Sequence, residues 1–180
     1  MEGKKTARIK TTAIIGGYMF RIGVITVSDK CSSRERDDLS GPEIMGLVES
    51  LGEIESYIIV PDEQDQIKEA IMVMTDKLKL DLVLTTGGTG FAPRDVTPEA
   101  TMEVLEKIVP GIPEAMRAAS MKITNRAMLS RAVAGIRRDS LIINLPGSPK
   151  GVRENLQAIL PAIEHGLGIL KKEANECGGL

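Results

Sequence analysis

The segment LVLTTGGTGFAPRDVTPEA, residues 82–100, determines how this chain is expected to fold. Its first five residues form a short apolar run with β-branched side chains, which is typical of a strand buried on both faces. Three glycines follow within residues 87–90, and Thr97 with Pro98 has the residue types of a helix N-cap and first helical position. The segment therefore predicts a buried strand, a flexible loop and a helix in direct succession.

The same succession recurs along the chain. Strands are predicted at residues 22–27 and 57–60, and residues 132–136 and 141–145 predict a short hairpin that leads into the last strand. Apolar residues at helical spacing predict the helices, at about residues 40–51 (with Ser40 as the cap), 62–78, 97–108, 113–122 and 149–170. Strands that alternate with helices of this length are joined by right-handed crossovers. The expected fold is a single three-layer α/β domain with a mainly parallel sheet and helices on both faces.

Length and composition limit the other possibilities. At 180 residues the chain fits one domain, predicted at residues 21–172, with an N-terminal extension at 1–20 and a C-terminal tail at 173–180. A net charge of −2 and an aromatic content of 2% argue against nucleic-acid binding. The apolar-leaning stretch at residues 11–20 is too short to span a membrane and lacks a convincing secretion cleavage site. A cytoplasmic location without membrane contact is expected.

Cysteine and histidine are scarce. Cys31 and Cys177 lie far apart and form no CxxC pair, and His165 is the only histidine. His165 continues a helical apolar pattern, which favours a structural role. Any catalysis is therefore expected to use carboxylates, backbone amides, hydroxyls, Lys or Arg, or a hard metal ion.

Polar or glycine-rich loops follow four predicted strands. In a parallel sheet such loops emerge at one carboxyl edge, so we expect them to form one crevice. The loop residues are Ser28, Asp29, Pro61, Asp62, Thr86 to Asp95, and Pro146 to Pro149.

The glycine loop at residues 87–90 can adopt positive φ and turn its amides toward an anion such as phosphate. A plain tight turn is the alternative. The loop matches neither GxGxxG nor GxxxxGK[ST].

Two carboxylates near this loop are the predicted metal ligands. Asp95 is not needed as a helix cap, because Thr97 has that role, whereas Asp62 could be an N-cap. Mg²⁺ binds through one or two carboxylates together with substrate phosphates, so Asp62 and Asp95 are expected to hold it. Ser148 can cap the last helix and also donate to a ligand oxygen.

Several motifs together resemble one known family. VITVSD, GP at residues 41–42, VPDEQ, TTGGTG, PRDVTPEA and INLPGSPKGV occur in the order and spacing of the molybdopterin adenylyltransferase family, the MogA/MoaB-like proteins of molybdenum cofactor biosynthesis. The resemblance extends from about residue 21 to about residue 170. It implies a molybdopterin-binding fold and, in adenylating members, transfer of AMP from Mg-ATP to the terminal phosphate of molybdopterin with release of pyrophosphate.

The resemblance also implies roles for particular residues and partners. Asp62 and Asp95 would be the catalytic metal ligands. The substrate-binding residues would be Ser28, Asp29, Thr86, Gly87, Gly88, Thr89, Gly90, Pro146, Gly147 and Ser148. Relatives of this kind imply a homotrimer and product transfer to a molybdenum insertase, and a carrier or scaffold that binds molybdopterin without adenylylation is the alternative. Arg34 stands where many relatives have glycine, so its loop is expected to differ in shape or to add a positive contact.

Overall fold

The computed structural model describes residues 20–171, which form one α/β domain. Its strands are β1 (Phe20–Val27), β2 (Gly52–Val60), β3 (Leu82–Thr86), β4 (Lys107–Ile108), β5 (Ala134–Arg137) and β6 (Ser140–Leu145). Its helices are α1 (Asp29–Ser32), α2 (Ser40–Val48), α3 (Gln64–Met72), α4 (Thr97–Val104), α5 (Gly111–Met121) and α6 (Pro149–Leu170). A π-helical turn, Val73–Lys77, continues α3, and a 3₁₀ turn, Asn125–Leu129, follows α5.

The described residues do not decide the predicted domain boundaries. The predicted extension lies outside them except for Phe20, which is the first residue of β1. The predicted tail at residues 173–180 lies entirely outside them.

The sheet confirms the predicted fold class. Its strand order is β2-β1-β3-β6-β5-β4, in which β2, β1, β3 and β6 run parallel, β5 is antiparallel to β6, and β4 is antiparallel to β5. The predicted hairpin is formed by β5 and β6, with Arg137 paired to Ser140. Because β1, β3 and β6 are aligned, with Thr26 beside Thr86 and Thr86 beside Leu145, their following loops begin at one edge.

The core has two layers, one on each face of the sheet. Ile22 and Val24 of β1 pack with buried residues of α2, α5 and α6. Ile25 and Val27 of the same strand pack with α3 and α4 on the opposite face. Successive strand residues point to opposite faces, so the apolar residues of β1 fill both layers. Among residues 20–171, no helix is both long and apolar enough to cross a membrane.

The second strand is longer than predicted. Gly52 was expected to stop the preceding helix and the strand to begin at Tyr57, but β2 starts at Gly52. Exposure alternates along the strand, with Glu53 and Glu55 exposed on either side of the half-buried Ile54. An edge strand with one neighbour can keep alternate polar residues in water, so it lacks the continuous apolar pattern of a central strand.

Three predicted helix caps are wrong. Helix α4 begins at Thr97 itself after Val96, and Val96 makes no side-chain cap bond. Glu63, and not Asp62, is the N-cap residue of α3. Ser40 is the first residue of α2 and donates its hydroxyl to the Gly147 carbonyl at 2.9 Å. The tertiary environment therefore gives these polar side chains other positions than local capping would.

Helix α4 also ends earlier than residue 108. Its last residue is Val104, and Leu105 is extended. The chain then pairs Lys107 with Ile136 and Ile108 with Gly135, forming β4. Pairing with the edge of β5 thus replaces the last helical turn that the sequence pattern predicts.

Candidate functional site

The loops after β1, β2, β3 and β6 meet around a cavity of about 430 Å³, here called the carboxylate cavity. The sequence-predicted residues that line it are Ser28, Asp62, Thr86, Gly87, Gly88, Asp95, Gly147 and Ser148. The predicted convergence of the four loops is therefore observed.

The glycine loop contains the positive φ angles that its sequence predicts. Gly87 and Gly88 have φ angles of 101° and 63°. A Cβ atom at Gly87 would lie 2.2 Å from the carbonyl oxygen of Val27, so no larger residue fits there. Within residues 20–171, the amides of Gly88, Thr89 and Gly90 donate to no protein acceptor. These amides are available to phosphate oxygens.

Two hydrogen bonds with Asp29 hold Asp62 in place. Its Oδ2 accepts the amide proton of Asp29 at 2.8 Å, and its own amide donates to Asp29 Oδ1 at 3.0 Å. Burial raises the pKa of the Asp62 carboxyl above its usual value, and the negative charges of Asp29 and Asp95 raise it further. A cation near Asp62 would oppose both effects.

Asp95 folds back over the glycine loop. Its Oδ2 accepts the Ala92 amide at 2.9 Å and lies 2.9 Å from the position a Cβ would take at Gly90. Gly90 itself does not have a positive φ, so the glycine is required there by this close approach.

Asp62 and Asp95 can supply only some of the oxygen ligands that Mg²⁺ requires. The Oδ1 atoms of Asp62 and Asp95 accept no hydrogen bond from any residue in the range 20–171. In the same range, no group of three or more His, Cys, Asp or Glu side chains could hold a metal ion. Two carboxylates without further protein ligands suit Mg²⁺ that arrives with phosphate oxygens and water.

Asp29 has a different position from the one predicted. It does not line the carboxylate cavity, because Arg94 binds its two oxygens through Nε at 3.1 Å and Nη2 at 2.9 Å. This Arg94 guanidinium is the main reason that the pKa of Asp29 lies below its usual value. Arg94 also pairs with Glu63 at 2.8 Å. Asp29 thus supports Asp62 and links the loops after β1, β2 and β3.

A second cavity of about 450 Å³, here called the basic cavity, lies on the other side of the glycine loop. The predicted residues Thr89, Gly90 and Pro146 line it, and Ser148 lines both cavities. Its other lining residues include Arg117, Arg126 and Lys150, the apolar side chains of residues 123, 127 and 129, and the acidic Glu154, which lies 3.8 Å from Lys150 Nζ.

Ser148 caps α6 as predicted, with its Oγ accepting the Gly151 amide at 3.1 Å. The positive end of this long helix faces the junction of the two cavities.

Asp38 is a site residue that the sequence reasoning missed. Its Oδ2 accepts hydrogen bonds from the hydroxyls of Thr26 and Tyr57, each at 2.6 Å, and its Oδ1 accepts the Ser40 amide at 2.9 Å. Burial alone would raise the pKa of Asp38, but these hydrogen bonds and that of the Gly41 amide keep it below its usual value. Burial and the Asp38 carboxylate raise the pKa of Tyr57 to about 12. The position of Asp38 shortly before the GP motif at residues 41–42 was the sequence feature that could have identified it.

Arg131 is the second missed residue. Its amide donates to the Thr89 carbonyl at 3.0 Å, its Nε donates to the Gly90 carbonyl at 2.7 Å, and its Nη2 donates to the Asp95 carbonyl. Its Nη1 pairs with Glu99. One side chain thus joins both ends of the loop that carries Asp95. Since all of its loop partners are backbone carbonyls, no sequence motif could identify them.

Arg34 was expected to change the shape of its loop or to add a positive contact. Its φ of 62° lies in the left-handed region that glycine favours. Arg34 does not line the carboxylate cavity, whereas Arg36 does and donates to Ser28 Oγ at 3.3 Å. The arginine of this loop that lines the carboxylate cavity is Arg36 and not Arg34.

The fold and the site define an α/β domain whose glycine loop and paired carboxylates are suited to phosphate-bearing ligands. The chain belongs to the family described as a probable molybdopterin binding domain, which matches residues 23–165.

Similar proteins agree with this assignment. A molybdopterin adenylyltransferase of Helicobacter pylori (strain J99) is 50% identical over 147 residues, which cover 80% of this chain and 84% of that protein. Gephyrin of Dictyostelium discoideum is 47% identical over 163 residues, covering 84% of this chain and only 23% of gephyrin. The crystal structure of the molybdopterin biosynthesis enzyme MoaB of Thermus thermophilus superposes with a TM-score of 0.82 at 48% identity, covering 86% of this chain and 98% of that one.

Proposed function

We propose that this protein is a molybdopterin adenylyltransferase of molybdenum cofactor biosynthesis. The reaction transfers AMP from ATP to the terminal phosphate of molybdopterin and releases pyrophosphate. One observation carries the proposal: the unused amides of Gly88, Thr89 and Gly90 lie between two cavities, with Asp62 and Asp95 on one side. The 50% identity to a molybdopterin adenylyltransferase over most of both chains supports it.

The two cavities suit the two substrates of such a transfer. The carboxylate cavity would receive the triphosphate of ATP, because Asp62 and Asp95 can hold Mg²⁺ there and Arg36 adds a positive charge. The basic cavity would receive molybdopterin, with apolar walls for the pterin and Arg117, Arg126 or Lys150 for its phosphate. Ser148 lies where the two phosphates would meet.

The chemistry requires positioning more than proton transfer. An oxygen of the molybdopterin phosphate attacks the α-phosphorus of ATP, and the bond from that phosphorus to the pyrophosphate oxygen breaks. The attacking phosphate is already an anion, so no basic side chain must deprotonate it. Bound Mg²⁺ would neutralise negative charge on the phosphate oxygens. The glycine-loop amides and the N-terminus of α6 would hold those oxygens in place, and such electrostatic positioning is a large part of catalysis in phosphoryl transfer.

The assembly and the wider context complete the proposal. We propose that the protein is cytoplasmic and forms a homotrimer. The exposed apolar side chains of Met121 and Met128, near the end of α5, support self-association. We also propose that the adenylylated product passes to a molybdenum insertase. The match to a small part of gephyrin supports such a link, since a domain of this kind occurs there within a longer chain. Light scattering on the purified protein would test the trimer.

The decisive experiment measures pyrophosphate release by the purified protein from Mg-ATP, with and without molybdopterin. We expect release only when both molybdopterin and Mg²⁺ are present, and none when EDTA removes the metal. Molybdopterin binding without any pyrophosphate release would instead establish the alternative, a carrier or scaffold. Release without molybdopterin would indicate an unrelated nucleotide-hydrolysing activity.

A further inference from the structure

One hydroxyl next to the glycine loop is buried without a hydrogen-bond partner. Thr97 is fully buried, and its Oγ1 has no partner in residues 20–171. Buried hydroxyl groups in native proteins are nearly always hydrogen-bonded, because burial removes the bonds they would make with water. An exception therefore calls for a reason specific to its position.

Helix capping does not supply that reason. Thr97 is the first residue of α4 and not its N-cap, and Val96 makes no side-chain cap bond. Thr101, the next threonine of the same helix, differs because its hydroxyl has hydrogen-bond partners. Thr101 Oγ1 donates to the Thr97 carbonyl at 2.8 Å and accepts from Asn144 Nδ2 at 2.9 Å.

The position of the hydroxyl relates it to the proposed metal ligand Asp62. A Cβ atom at Gly88 would lie 2.3 Å from Thr97 Oγ1 and 3.2 Å from Asp62 Oδ1. Both oxygens therefore border the same space, which exists because residue 88 has no side chain. The Thr97 amide also donates to the Gly88 carbonyl at 3.1 Å, which fixes the helix start against the loop.

We propose that Thr97 is a positioning residue for Asp62 in the nucleotide-bound site. When Mg-ATP occupies the carboxylate cavity, Thr97 Oγ1 donates a hydrogen bond to Asp62 Oδ1 and holds the carboxylate in the orientation that binds the metal. The hydroxyl destabilises the free protein slightly and stabilises the complex. This inference rests on the proposed function, because it assumes that Asp62 faces a metal–nucleotide ligand.

The first test asks whether the Thr97 hydroxyl makes a hydrogen bond in the ligand-free protein. Thr97→Val removes the hydroxyl with little change of shape, and Thr97→Ser retains it. We expect Thr97→Val to have an unfolding midpoint in urea equal to or above that of the wild type, because no hydrogen bond is lost in the free state. Thr101→Val is the matched control, and its midpoint should fall because Thr101 does have partners.

The second readout is ligand affinity by calorimetry, with Mg²⁺ titrated into protein and ATP. Loss of a hydrogen bond to a charged group should weaken Mg²⁺ binding by about tenfold or more in Thr97→Val, and Thr97→Ser should stay within about threefold of the wild type. In an Asp62→Asn background, Thr97→Val should have less than about a twofold further effect on turnover, because its partner is already altered.

Two results would overturn the inference. A lowered midpoint in Thr97→Val, with Thr97→Ala also less stable than Thr97→Ser, would show that the hydroxyl is bonded in the free protein. Unchanged Mg²⁺ binding, or a full additional loss in the Asp62→Asn background, would show that it does not act through Asp62. If the wild-type protein binds no Mg-ATP at all, the proposed function fails first, and this inference fails with it.

Discussion

Replacement of Arg131 by lysine should slow adenylyl transfer while the protein remains folded. The guanidinium group contacts the Gly90 carbonyl, the Asp95 carbonyl and the Glu99 carboxylate, whereas an ammonium group in its place can reach one of the three. Two charged hydrogen bonds are therefore lost. The side chain is 32% exposed, so water replaces part of each bond, and about 1 kcal/mol per bond is a reasonable magnitude.

A loss of about 2 kcal/mol in the free energy that holds the Asp95 loop in place corresponds to roughly a thirtyfold fall in the population of its catalytically productive conformation. Arg131→Lys should therefore lower the rate of molybdopterin-dependent pyrophosphate release by about thirtyfold. The rest of the loop contacts remain, including the Arg131 amide bond to Thr89. The free energy of unfolding should consequently fall by no more than about 2 kcal/mol.

The assay compares turnover at saturating substrates with urea unfolding of the same samples. Arg153→Lys is the matched control, because Arg153 binds Glu43 with two hydrogen bonds of 2.8 and 2.9 Å on the surface, away from both cavities. It should keep turnover within about twofold of the wild type. Wild-type turnover in Arg131→Lys would refute the reasoning, since the Gly90 and Asp95 carbonyl contacts would then have no part in placing Asp95.

Four further predictions concern charge and backbone shape. Asp95→Asn should lower turnover at least about a hundredfold with little change in molybdopterin affinity, and near-normal turnover would remove Asp95 from the metal site. Gly88→Val should remain folded by circular dichroism but lose Mg-ATP binding, since its Cβ would lie 2.3 Å from Thr97 Oγ1; global unfolding would show that the loop is structural. The Arg137 guanidinium lowers the pKa of Asp76 from 3.8 to about 2. Asp76→Asn should therefore lower the free energy of unfolding by about 2 kcal/mol at pH 7. This contribution is complete above the unfolded pKa and is lost as pH falls through the folded value, so an equal cost at pH 2 and pH 7 in urea titrations would contradict it. Arg34→Gly should raise the free energy of unfolding by about 0.5 kcal/mol, because it relieves a φ of 62°, and a lower urea midpoint would contradict this.

The central strands and the site loops could be predicted because their signals are local. A strand buried on both faces is rich in apolar residues, and β1, β3 and β6 each contain a short run of them. Parallel strands place their following loops at one edge, so the convergence of Asp62, the glycine loop and Ser148 followed from the expected parallel direction of the strands. The φ angles of Gly87 and Gly88 agree with the role predicted for these glycines.

Helix ends and the edge strand were harder to predict. The polar alternation of β2 resembles a loop until its pairing with β1 is known. Helix α4 stops at Val104 because the next residues pair with β5, which lies well beyond α5 in the chain. Local capping patterns at Ser40, Asp62 and Thr97 were misleading because each side chain occupies a tertiary position near the site.

The sequence by itself determined the fold class, the family and the loops that form the site, because these depend on periodicity and on motifs within short segments. Only the tertiary structure decided how the site residues divide between two cavities, that Arg94 pairs with Asp29, and that Arg131 holds the Asp95 loop. The same holds for the unpaired Thr97 hydroxyl beneath Gly88, as seen within residues 20–171. The physical reason is that these features depend on distances and hydrogen-bond geometry between segments far apart in the chain. Backbone carbonyls and amides, which nearly every residue carries, make many of these contacts, so side-chain identity alone does not encode them.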